Sequence, residues 1–213
     1  MGAPRVDKLY RCLQAYQALA TSCSYHYVVA RRKIKYSLNL QFEMNNFVHL
    51  IGIRHLKDLP ILRSSDGNLI AAISNNRLKI ETLQTSQFFL KPPLDIEARI
   101  KCVSRLDEFL QSDHLVIDYL NYPELNSRVE ADWLFRSEID NETWYLFVKS
   151  KERKTTKDSR KSGNYVCSSM FMKRHIEYGA SQKPMTILLK ERHNLNSKTK
   201  QTLFCHPNYT VPN

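Results

Sequence analysis

Residues 45–56, NNFVHLIGIRHL, hold the densest grouping of chemically capable side chains in the chain. Two imidazoles and a guanidinium stand among apolar residues. Imidazole exchanges protons near neutral pH, and guanidinium stays cationic and recognises phosphate oxygens. Phe47, Leu50, Ile51 and Arg54 recur at helical spacing, and Val48, Ile53 and Leu56 widen the apolar face. His49 stands inside this pattern. Two readings fit that placement: a core histidine satisfied by a backbone carbonyl, or a histidine held by the core and aimed at a cleft, where it moves protons.

Cleavage of RNA without a metal ion needs few parts. A base removes the proton of the 2′-hydroxyl, an acid protonates the leaving oxygen, and cations stabilise the charge on the phosphorane. His49, Arg54, Lys149, Ser169 and Thr186 are residue types that can supply these parts. Each alone has a plainer role. Arg54 and Lys149 suit a solvated surface. Ser168 or Ser169 suits the N-cap of a helix running through Lys173 and Ile176. Only a converging set would make a site.

Residues 149–161 read KSKERKTTKDSRK, polar throughout and mostly basic. Lys151, Arg153, Lys154, Lys157, Arg160 and Lys161 in such a loop can grip phosphates without reading sequence. The same composition also suits a solubilising linker. Tyr165, Trp133 and Trp144 can stack on bases if exposed, or fill the core.

Other chemistries find less support. There is no Walker loop, dinucleotide fingerprint, nucleophile elbow or HExxH element. Asp118 and Asp132 fall in β-prone segments and can in principle meet, but two strand carboxylates are a thin basis for a two-metal centre. The five cysteines, Cys12, Cys23, Cys102, Cys167 and Cys205, include no CxxC pair. A zinc site or disulfide framework is not expected, and a reducing cytoplasm is. The net charge of +11 and pI near 9.5 ask for a polyanionic partner, nucleic acid before an acidic protein. No apolar run reaches the roughly 18 residues of a membrane span, so no membrane association is expected. No metal or cofactor is expected either.

The elements that must position these residues follow from pattern. Asp7 is a plausible N-cap for a helix to about Thr21, with Leu9, Leu13, Tyr16 and Leu19 as its stripe. Residues 25–30 and the strictly alternating residues 34–42 predict an antiparallel hairpin around Arg31-Arg32-Lys33. The His49 stretch follows as a helix ended near Pro60. Residues 58–112 read as helical, with Asp95 opening the strongest helix through Ile96, Ile100, Val103, Leu106 and Leu110. Such a block between strands predicts an insertion or lid. Residues 115–120, 129–135 and 143–148 are strand candidates, the last two joined by a tight Asp140-Asn141 turn, and 185–189 is a final strand. The expected organisation is one domain over 1–194, with an insertion at 58–112 and a basic loop at 149–163, and then a poorly ordered polar tail over 195–213.

The order of an alternating strand, NFVHLIGI, a helical block, EADWLF, WYLFVKS, SSMFM and PMTILL resembles phage-type members of the barnase–EndoU–colicin–RelE-like (BECR) nuclease superfamily, found in phages and mobile elements of bacteria. Its Phe-x-His-Leu-x-Gly element is matched by Phe47, His49, Leu50 and Gly52. Its serine followed by aromatics is matched by Ser168-Ser169-Met170-Phe171, which departs from a Ser-Phe-Phe form. The resemblance spans roughly residues 34–189. It implies an α+β fold with a helix packed on a small antiparallel sheet, and metal-independent RNA cleavage with His49 as general acid or base. Arg54 and Lys149 would then stabilise phosphate charge, and Ser169 would orient it or donate a hydrogen bond. A toxin or effector of this kind would have RNA as substrate and an acidic immunity or antitoxin protein as a possible partner. The alternative is a non-catalytic nucleic-acid-binding protein of a mobile element.

Overall fold

Helix α1 (Lys8–Ser22) begins where the sequence places its cap: an Asp7 side-chain oxygen accepts from the backbone N–H groups of Leu9, at 2.9 Å, and Tyr10, at 3.1 Å. The other carboxylate oxygen accepts from Ile80 N–H at 3.0 Å and ties α1 to the distant helical block. Strands β1 (Cys23–Arg31) and β2 (Ile34–Gln41) form the expected hairpin, with Arg32 and Lys33 at positive φ in its turn. The computed structural model describes residues 6–91, 95–123, 129–152 and 162–211.

The chain then enters α2 (Phe47–Leu50), α3 (Asp66–Ser74), α4 (Ile80–Gln84), α5 (Ile96–Ser104) and α6 (Leu106–Gln111). This block is no detached lid. Leu69, Ile73, Leu83, Ile96, Ile100, Val103 and Phe109 join one continuous core with α1 and with the inward residues of the strands. Burying that much apolar area is the main stabilising term of the fold.

The remaining strands are β3 (Leu115–Asp118), β4 (Trp133–Ile139), β5 (Glu142–Ser150), β6 (Ser162–Met172), β7 (Lys183–Asn194) and β8 (Lys200–Cys205). They pair in the order β1-β2-β6-β5-β4-β3-β7-β8, and β7 also pairs with β1. The first seven therefore close into a mixed barrel, with β2 and β6 as a parallel pair and β8 as an added strand on β7. This overturns the expected α+β architecture of a helix packed on a small antiparallel sheet. Closure rests on β7, whose start pairs with β3 and whose remainder pairs with β1. Strand β8 lies within the segment read as a polar tail.

Alternation divides the strand residues between two cores. Trp133, Phe135, Trp144, Leu146 and Val148 enter the main core, whereas Leu134, Tyr145 and Phe147 face the opposite side with Ile117 and Tyr119, beside the half-buried Phe171 and Tyr178. β5 is thus apolar on both faces, so Trp144 to Val148 read as an unbroken apolar run.

Candidate active site

Helix α2 is much shorter than its apolar spacing suggests, and Gly52 is the reason. Its φ of +73° is left-handed, and its N–H donates to His49 C=O at 3.1 Å, which closes the helix. A short 3₁₀ turn, Ile53–His55, follows. Phe47, Val48, Leu50, Ile51 and Ile53 are all buried, and His49 is the residue of this group that reaches solvent, its side chain 59% exposed. Two residues along a helix is about 200° of rotation, which turns His49 away from the face that Phe47 buries. His49 is therefore not a core histidine.

Its partner comes from α3. His49 Nε2 lies 3.4 Å from Asp66 Oδ2, and Asp66 Oδ1 accepts from Arg54 Nε at 3.0 Å and also from Arg54 Nη2. Arg54 Nη1 donates to the Leu62 carbonyl. Each guanidinium nitrogen is thus engaged, so Arg54 is not a loose surface charge. It holds Asp66, and Asp66 holds the imidazole. The exposed imidazole thus has a fixed carboxylate beside Nε2, an ion pair when the ring is charged.

A second cation lies beside this turn. Arg99 of α5 is 8% exposed and packs against Gly52, where a Cβ would come within 3.0 Å of Arg99 Cδ. Its guanidinium sits 4.9 Å from the Phe171 ring centre, and Nη1 donates to Ser169 Oγ at 3.4 Å. Burial pulls this guanidinium down to about 10, still cationic at neutral pH.

Ser169 is available to Arg99 because of a β-bulge. Phe147 pairs with Ser169 and the next residue, Val148, pairs with Cys167, so Ser168 is the extra residue. Without it, strict alternation from Tyr165 through Cys167 would bury Ser169. With it, Met170 and Met172 return to the core and Ser169 and Phe171 face out. Neither serine caps a helix.

The other expected residues are more dispersed. Lys149 is exposed two residues beyond Phe147 on β5. Thr186 is exposed on β7 opposite Ala30, and at least two strands separate it from Ser169 in either direction around the barrel. Lys151 is ion-paired with Glu43 at 2.6 Å. Arg153, Lys154, Lys157, Arg160 and Lys161 lie outside the described residues. Trp133, Trp144 and Tyr165 are buried in the core, where they are not open to bases. Asp118 pairs with Trp133 across strands, and Asp132 Oδ2 accepts from Ser150 N–H at 2.7 Å. Among the described residues no group of three or more His, Cys, Asp or Glu side chains is arranged to hold a metal ion, and no helix is long and apolar enough to cross a membrane.

Asp66 and Arg99 escaped the sequence reading. Asp66 precedes Gly67, a pairing that signals a turn, and its contact with His49 crosses from one helix to another. Arg99 did carry a signal: it falls three residues after Ile96, on the stripe that α5 buries. An arginine on a buried stripe needs a specific partner.

Comparison with known proteins gives one family. The family model described as phage-Barnase-EndoU-ColicinE5/D-RelE like nuclease4 matches residues 8–205. No curated protein and no solved structure matches the chain.

Proposed function

The chain belongs to the phage-Barnase-EndoU-ColicinE5/D-RelE like nuclease4 family, and we propose that it is an endoribonuclease that cuts RNA without a metal ion, as a toxin or effector of a phage or mobile element. The 2′-hydroxyl attacks the neighbouring phosphorus, and His49 moves a proton in that step. Arg54 orients the imidazole through Asp66 and offsets that carboxylate's negative charge near the phosphate. Ser169, its oxygen already accepting from Arg99, keeps its hydroxyl proton to donate to a phosphate oxygen. Lys149, Lys151, Arg153, Lys154, Lys157, Arg160 and Lys161 attract the RNA backbone. The net charge of +11 also suits an acidic immunity or antitoxin protein. The observation that carries the reading is the exposed His49 imidazole held 3.4 Å from Asp66, a carboxylate itself fixed by Arg54.

The test is incubation of wild type and His49→Ala with mixed cellular RNA in EDTA, with matched folding shown by circular dichroism. Cleavage by wild type alone is expected. Cleavage by both would keep the nuclease and remove His49 from its centre. Salt-sensitive binding without cleavage by either would favour a non-catalytic nucleic-acid-binding protein.

A further inference from the structure

His55 is the second imidazole of the NNFVHLIGIRHL stretch and ends the short 3₁₀ turn that follows Gly52. Six residues separate it from His49, a spacing that puts two side chains on different faces of a continuous helix. The chain is not a continuous helix here. Gly52 N–H donates to the His49 carbonyl at 3.1 Å, and the Gly52 carbonyl accepts from His55 N–H at 3.0 Å. The two histidines therefore bracket one left-handed residue, each joined to it by a backbone hydrogen bond. Arg99 fills the space where a Gly52 side chain would be and extends to Ser169. Both histidine residues are exposed.

We propose that His55 is the second proton-transfer residue of this site, acting as the base while His49 acts as the acid. This rests on the ribonuclease reading above. His55 takes the proton of the 2′-hydroxyl, and the 2′-oxygen forms a bond to phosphorus. The bond from phosphorus to the 5′-oxygen breaks, and protonated His49 gives its proton to that oxygen. The products are a 2′,3′-cyclic phosphate and a free 5′-hydroxyl, and the two histidines end with their protonation states exchanged.

The surroundings divide the roles. The groups facing His55 are Arg99 from α5, Lys57 from its own turn and His49 from α2; partial burial and then these charges lower its pKa, which favours the neutral ring a base must be. His49 faces Asp66 from α3, the carboxylate that Arg54 holds, and so forms an ion pair when protonated.

The experiment compares wild type, His49→Ala and His55→Ala on two RNA substrates in EDTA: an ordinary one, and one whose scissile 5′-oxygen is replaced by sulfur. Sulfur leaves without a proton, so it bypasses the acid and not the base. On ordinary RNA both variants are expected to lose about 100-fold or more. On the thio substrate His49→Ala is expected to recover to near wild type, while His55→Ala stays depressed and loses the acid-side fall of the pH–rate profile. Near-normal cleavage by His55→Ala on ordinary RNA would overturn the assignment and leave the ribonuclease standing. Rescue of His55→Ala in place of His49→Ala would overturn the division of roles. No cleavage by wild type of either substrate would overturn the ribonuclease reading and this assignment together.

Discussion

His114 and His49 are the same residue in opposite surroundings. His114 is buried, its ring stacked on Phe109 at 5.7 Å and on Phe135 at 5.3 Å, with Tyr27 edge-on at 5.5 Å. Its Nδ1 sits 2.9 Å from the Ser112 carbonyl, to which buried Lys190 also donates, at 2.8 Å. Burial, with the Lys190 charge, pushes His114 down to about 3, so it stays neutral and fills space as an aromatic. His49 has solvent on one side and a carboxylate on the other. Core placement keeps an imidazole uncharged, whereas His49 is open to solvent and lies beside a fixed carboxylate.

Reciprocal substitutions break this contrast most directly. His49→Ala is expected to cost about 100-fold or more in cleavage while stability changes by less than about 0.5 kcal/mol. His114→Ala is expected to cost about 3 kcal/mol through the cavity it leaves, lowering Tm by roughly 6–12 °C. Scanning calorimetry beside a cleavage assay separates the two. Equal loss of activity and stability in both variants would erase the distinction.

The contrast is sharpened by pH. The folded His114 pKa, about 3, lies below its ordinary 6.5, so the unfolded chain binds the extra proton. Its contribution is complete above about 6.5 and is lost as pH falls toward 3. Urea titrations across that window are expected to show falling stability, and His114→Phe is expected to flatten part of the slope. His49→Ala is expected to leave most of the slope in place.

Gly52→Ala carries a smaller penalty, about 1–2 kcal/mol, from a side chain at positive φ that also meets Arg99. It is expected to lower cleavage as well, because the turn carrying His49 and the arginine holding Ser169 meet at this residue. Unchanged activity would show that they need not be held in register. The smallest effect is expected from Thr186→Ala, on an exposed strand residue remote from Ser169: less than about twofold in cleavage and under about 0.5 kcal/mol in stability.

How much was legible depended on reach along the chain. Residues 47, 50, 51 and 53 announced a buried face, and Gly52 and His49 stood out in the motif. That His49 reaches solvent depends on where α2 stops. Lys149 and Thr186 joined the candidate set by residue type alone, and no short-range pattern records that β5 and β7 lie apart in the barrel. Arg99 was marked by its place on an apolar stripe, but its partners, Ser169 and Phe171, lie about seventy residues away.

The sequence by itself determined the local features. Asp7 begins α1 because its carboxylate meets N–H groups two and three residues on. Asp140 and Asn141, both at positive φ, turn β4 into β5 because such residues tolerate that conformation. Tertiary structure decided barrel closure, the bulge that turns Ser169 out of the main core, and the reach of Asp66 to His49. The physical reason is that strand partners such as Ser37 and Ser162 are selected by the free energy of the whole assembled core. Periodicity records which face of a segment is apolar, and not which distant segment covers it.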